Sequence, residues 1–147
     1  MLVIAMTVLL GTTVGWAKAP PASTAATCGG KLIASLPIKN GGKRIGSLVV
    51  YRSGGTTCAI TKHGGASWGK QRFTSIMLVG CKTKKAGKDC GEAPYKQDKG
   101  QFAYQAGPVR VTSGKRCIWA RADLGTAGDK RIITLETDRK YRARYCG

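Results

Sequence analysis

Histidine is almost missing from this chain, with His63 the single instance. A two-histidine ribonuclease mechanism is thereby excluded. A Glu–His–Arg version, with Glu92 or Glu136 as base and His63 as acid, stays formally open. Nothing in the spacing unites those residues, and a histidine beside Gly64-Gly65 is more often structural. No C-x-x-C occurs, so with one histidine a zinc site is not expected. There is no G-x-S-x-G, and neither Ser67 nor Ser75 has a base-bearing context. The glycine-rich stretches lack the P-loop pattern and precede strands, which leaves phosphate cradling unsupported. The reading is of a protein without enzymatic activity, metal or cofactor. Acidic side chains are also few: 7 Asp and Glu against 25 Lys and Arg leave a formal charge of +18.

Long apolar runs are confined to the N-terminus. Met1 to Val14 is apolar or small throughout, yet shorter than the roughly 20 residues a spanning helix needs. Gly15-Trp16-Ala17 places small residues for a cut after Ala17, so residues 1–17 read as a secretory signal peptide. The usual basic n-region is missing; either the true start lies upstream of Met1 or the signal is atypical. Pro20-Pro21 and the Ala/Ser/Thr run make 18–27 a linker. Residues 28–147 then form one domain by size. No later segment approaches membrane-spanning length, so the mature form is expected to be secreted, with no transmembrane segment.

What the chain does have is six cysteines, all behind the leader: Cys28, Cys58, Cys81, Cys90, Cys117 and Cys146. An even set in an exported protein reads as a disulfide framework with no free thiol. Cys81 and Cys90 bracket KTKKAGKD, whose Ala86-Gly87 can turn the chain back. A local bridge there adds about 2–3 kcal/mol by the chain-entropy model. Three pairings remain for the other four. We favour Cys58–Cys117, both in central strands, and Cys28–Cys146, which ties the termini.

No stretch repeats apolar residues at helical spacing. Strand signals recur instead, separated by glycine-containing turns. Leu32, Ala34 and Leu36 alternate before Asn40-Gly41-Gly42. Ile45–Arg52 and Thr56–Lys62 flank Ser53-Gly54-Gly55 as a hairpin. Further strands are expected at Arg72–Val79, Gln101–Ala106, Val109–Thr112, Cys117–Ala120 and Arg131–Thr137. His63–Ser67 reads as loop. The spacing predicts an all-β fold: a single antiparallel β-sandwich or barrel braced by disulfides.

The +18 charge favours polyanionic partners such as nucleic acid, anionic lipid or wall polymers. Two segments concentrate it. Lys82, Lys84, Lys85 and Lys88 lie in the Cys81–Cys90 loop, either an anion-binding or inhibitor-like projection or merely a solvated hairpin tip. Arg139-Lys140-Tyr141-Arg142-Ala143-Arg144-Tyr145 interleaves charge with aromatics. As a strand it puts Lys140, Arg142 and Arg144 opposite Tyr141, Ala143 and Tyr145. That stripe suits a polyanion backbone read by charge, or simply a terminal strand with its aromatics in the core. Trp119 and Tyr104 read as core. Trp68, in a glycine-rich loop, is a carbohydrate-stacking candidate.

Several of these residues carry a resemblance. The domain opens Cys28-Gly29, has Cys58 in TTCAIT after a hairpin turn, and closes Cys146-Gly147. Between them stand Tyr104-Gln105-Ala106-Gly107-Pro108-Val109-Arg110-Val111 and the turn Gly114-Lys115-Arg116-Cys117-Ile118. This resembles the spore-associated protein A family of secreted actinobacterial proteins. The Cys81/Cys90 pair and the strong basicity depart from that pattern. The resemblance implies a spore- or cell-surface protein and no enzymatic activity. The composite expectation is a non-enzymatic exported protein held to anionic cell-wall or envelope polymers, with non-specific nucleic acid binding in vitro as a by-product. The competing expectation is a secreted cationic inhibitor or antimicrobial-type protein acting through the Cys81–Cys90 loop.

Overall fold

A computed structural model describes residues 26–147. The predicted signal peptide and most of the linker lie outside them. Eight strands run in chain order: β1 (Lys31–Asn40), β2 (Lys43–Ser53), β3 (Thr56–His63), β4 (Arg72–Gly80), β5 (Tyr95–Phe102), β6 (Gln105–Thr112), β7 (Ile118–Gly125) and β8 (Ile132–Glu136). They form two four-stranded antiparallel sheets, β1-β2-β3-β6 and β5-β4-β7-β8. The sheets stack as an open sandwich and not a closed barrel.

Period-two alternation builds the core. Leu48 and Val50 of β2 join Ile76 and Leu78 of β4 and Ile118, Ala120, Ala122 and Leu124 of β7 in one buried cluster between the sheets. Fully burying one such aliphatic side chain is worth about 1.5–3 kcal/mol. The inner face of β3 sets two hydroxyls beside Ala59: Thr57 and Thr61 are fully buried. Each is satisfied, Thr57 Oγ1 against Ser113 Oγ at 2.7 Å and Thr61 Oγ1 donating to the Ser75 carbonyl at 2.7 Å. A buried hydroxyl without such a partner costs about 1–3 kcal/mol.

The Asn40-Gly41-Gly42 and Ser53-Gly54-Gly55 turns stand where expected, with Gly41, Gly42 and Gly54 at positive φ. The predicted strand Gln101–Ala106 is two strands: β5 ends at Phe102, the chain bends at Ala103-Tyr104, and β6 starts at Gln105. Gly107-Pro108 does not interrupt β6 but lies within it. Gly107 has φ +88°, and a Cβ there would sit 2.8 Å from the Ala59 carbonyl, so close approach to β3 demands glycine. Its N–H donates to Asp98 Oδ2 at 2.8 Å, tying β6 to β5 across the seam between sheets.

The three disulfides are Cys28–Cys58, Cys81–Cys90 and Cys117–Cys146. The local loop is as predicted; the Cys58–Cys117 and Cys28–Cys146 pairings are not. Cys58 faces outward from the first sheet, clustered with Cys28, Val49 and Ile60. Cys117 faces outward from the second, clustered with Val79, Trp119 and Ala143. The two cysteines are on opposite outer faces, with the core between them. Each bridge therefore pins a terminal segment onto the outside of one sheet.

Candidate functional site: a joined basic face

β4 runs from the Arg72 end of the sandwich to Gly80, and Cys81 follows directly. The Cys81–Cys90 loop reverses at Gly87, φ +84°. Lys82 N–H donates to the Cys90 carbonyl, closing its base. The loop does not project freely. Gly87 N–H donates to the Ala143 carbonyl at 2.8 Å, and Ala143 N–H donates back to the Lys88 carbonyl at 2.8 Å. Cys90 N–H reaches the Tyr141 carbonyl at 3.1 Å, and the Tyr141 hydroxyl donates to the Gly91 carbonyl at 3.0 Å. The two basic segments, half the domain apart in sequence, are thus one surface.

The terminal segment is not the strand that its alternation suggested. Tyr141 and Tyr145 have φ of 55° and 48°, incompatible with extended backbone, and only isolated bridges, Asp89 to Arg142 and Ile118 to Arg144, form. Burial still divides as the alternation implied. Ala143 is fully buried, Tyr141 and Tyr145 are half-buried, and Lys140, Arg142 and Arg144 are exposed. The tyrosines serve different clusters, however. Tyr141 stands edge-on to Trp119, centroids 4.9 Å apart, while Tyr145 packs on the main core. Trp119 is core, as expected, and its Nε1–H donates to the Asp138 carbonyl at 2.8 Å.

All eight candidate cations are exposed: Lys82, Lys84, Lys85, Lys88, Arg139, Lys140, Arg142 and Arg144. Only Arg144 has a carboxylate, donating to Asp138 Oδ2 from Nε at 3.0 Å and Nη2 at 2.7 Å. The Lys140 N–H on Oδ1, then Arg144, hold the Asp138 carboxyl below its usual range. The other seven have no ion pair among the described residues. Burial, and then the charge of Asp89, raises the Tyr141 phenol, so its hydroxyl keeps its proton and its bond to the loop at neutral pH.

Trp68 lies at the other end of the sandwich, before β4, so it is no part of this face. It is 40% exposed and stands edge-on to a half-buried Tyr104, centroids 4.9 Å apart. A nine-residue strand separates the two ends by roughly 30 Å.

His63 is not a loop residue but the buried last position of β3. Nδ1–H donates to the Ser67 carbonyl at 3.0 Å, and Nε2 meets Thr74 Oγ1 at 2.7 Å. Both ring nitrogens are occupied, and neither contacts Glu92 or Glu136. Burial first, with help from the Arg72 charge, lowers its pKa below the usual value. The unfolded chain therefore takes up the proton first as pH falls. The stability contributed by neutral His63 is complete above about pH 6.5 and is lost as pH drops below it. Urea midpoints measured from pH 8 to pH 5 should decline over that window. His63→Gln should remove the decline, and an unchanged decline would assign it to another group.

Among the described residues no cluster of His, Cys, Asp or Glu could hold a metal, and no helix is long and apolar enough to cross a membrane. No family model, curated protein or solved structure matches the chain.

Proposed function

We propose that this domain is an exported, non-enzymatic protein of the spore or cell surface, held to anionic envelope polymers by its joined basic face. The observation that carries the reading is the backbone pairing of Gly87 and Lys88 with Ala143. It merges two basic segments into one surface bearing seven cations without carboxylate partners. Such a surface binds by displacing counterions from a polyanion, which needs charge density and no sequence readout. The ends Cys28-Gly29 and Cys146-Gly147 and the Tyr104–Val111 segment, which resemble spore-associated protein A, agree with surface association. The competing inhibitor reading needs a free-standing loop, and the hydrogen bonds to the terminal segment work against it.

Sedimentation with cell-wall sacculi tests the proposal. Protein should co-sediment at low salt, elute as salt rises, and stay in the supernatant when the sacculi are stripped of teichoic acid. Equal retention on stripped sacculi would overturn the proposed partner.

A further inference from the structure

A cavity of about 260 Å³ opens at the seam between the sheets, at the same end of the sandwich as the basic face. The end of β4 (Gly80), the start of β5 with Pro94 before it, and the end of β6 (Val111) wall it. Its lining is mainly apolar, yet three of its residues, Lys96, Arg110 and Arg116, are basic and none is acidic. No carboxylate pairs with these three among the described residues.

Both arginines are held by carbonyls. Arg116 donates from Nε to the Ser113 carbonyl at 3.2 Å and from Nη2 to the Thr112 carbonyl at 3.0 Å. Arg110 Nη2 donates to the Thr27 carbonyl at 3.2 Å, in the segment pinned by Cys28. Carbonyls orient a guanidinium without neutralising it, and each keeps further N–H donors in its fork. Tyr95, 59% exposed, stands at the rim.

We propose that this cavity binds a small oxyanion carried on a planar apolar body, an aryl phosphate or aryl carboxylate. The ring lies among Gly80, Pro94, Tyr95 and Val111, and the oxyanion meets Lys96 and Arg116, while Arg110 is turned to the Thr27 carbonyl on the outer face. The volume fits, since an apolar cavity of about 150 Å³ already accepts benzene. The general form fits too: an apolar concavity with a few convergent polar groups. This site reads an anion together with the body attached to it, unlike the open face, which reads charge alone.

Gly80 allows cavity and charge to be separated. A Cβ there meets Val111 Cγ2 at an ordinary 3.6 Å, so a larger side chain fills the apolar part of the cavity and leaves every cation in the sequence. Calorimetry of the full chain at moderate salt, with phenyl phosphate, inorganic phosphate and benzyl alcohol as probes, tests the proposal. Phenyl phosphate should saturate one site at least about ten-fold tighter than either fragment alone. Arg116→Gln should weaken it about ten-fold. Gly80→Leu should abolish it while leaving duplex DNA binding unchanged. Tyr95→Ala, at an exposed position with little risk to folding, should weaken it several-fold and serves if Gly80→Leu misfolds. Phenyl phosphate binding no tighter than phosphate would overturn the proposal. So would unchanged affinity in a folded Gly80→Leu variant or in Tyr95→Ala.

Discussion

Full reduction should unfold the domain in water at 25 °C. Cys28–Cys58 and Cys117–Cys146 span 30 and 29 residues, and Cys81–Cys90 spans 9. The chain-entropy model assigns roughly 3.6 kcal/mol to each long bridge and roughly 2.6 to the short one. Their sum, roughly 10 kcal/mol, matches the whole stability of a typical domain, about 5–15 kcal/mol. Near-UV circular dichroism before and after phosphine reduction provides the measurement. A reduced protein that keeps its aromatic signal would show that the Leu48/Ile76/Leu78 core suffices alone. Removing one bridge by paired Cys→Ala substitution should leave a folded protein. Its urea midpoint should fall least for Cys81–Cys90, the shortest loop, provided the hydrogen bonds to Ala143 persist.

Duplex DNA should bind with a steep salt dependence. Seven free cations on one face predict a slope of log affinity against log salt near −6, a loss of roughly 10³–10⁴-fold between 50 and 200 mM. Reversing Lys82, Lys84, Lys85 and Lys88 to Glu should roughly halve that slope. Reversing Arg139, Lys140 and Arg142 should do nearly as much, and Arg144 is left in place to hold Asp138. Because the segments share one surface, the combined reversal should abolish binding at any salt. Trp68→Ala, at the far end, should change nothing. Slopes that stay steep in both single-segment variants would place the contact elsewhere among the scattered lysines. Binding that survives high salt would exclude an electrostatic contact altogether.

Much of the fold was legible because turns and core strands follow local rules. Asn40-Gly41-Gly42 and Ser53-Gly54-Gly55 supply the positive φ that tight turns need, and Arg72–Val79 carries the apolar residues of a central strand. What was missed lacked such a signature. β5, YKQDKGQF, is a largely solvated edge strand with no apolar period to find. The bend at Ala103-Tyr104 has neither glycine nor proline, so Phe102 and Tyr104 looked like alternation within one strand. The long disulfides failed on facing. Thr57, Ala59 and Thr61 point into the core, which puts Cys58 and Ile60 on the outer face, buried there in a separate cluster with Cys28 and Val49. The two basic segments were each visible in the sequence. Their union was not, because it depends on three backbone hydrogen bonds that only the folded chain creates.

The order of the three bridges has its own consequence. Each cysteine is joined to the next one along the chain: first to second, third to fourth, fifth to sixth. A polypeptide threaded N-terminus first into an oxidising compartment presents its thiols in that order. Each pair is complete before a rival emerges. Pairing on arrival therefore yields the native set, and a simple thiol oxidant suffices without an isomerase to correct crossed links. Had Cys28 needed Cys146, its thiol would have waited exposed through the whole of synthesis with four wrong partners passing by.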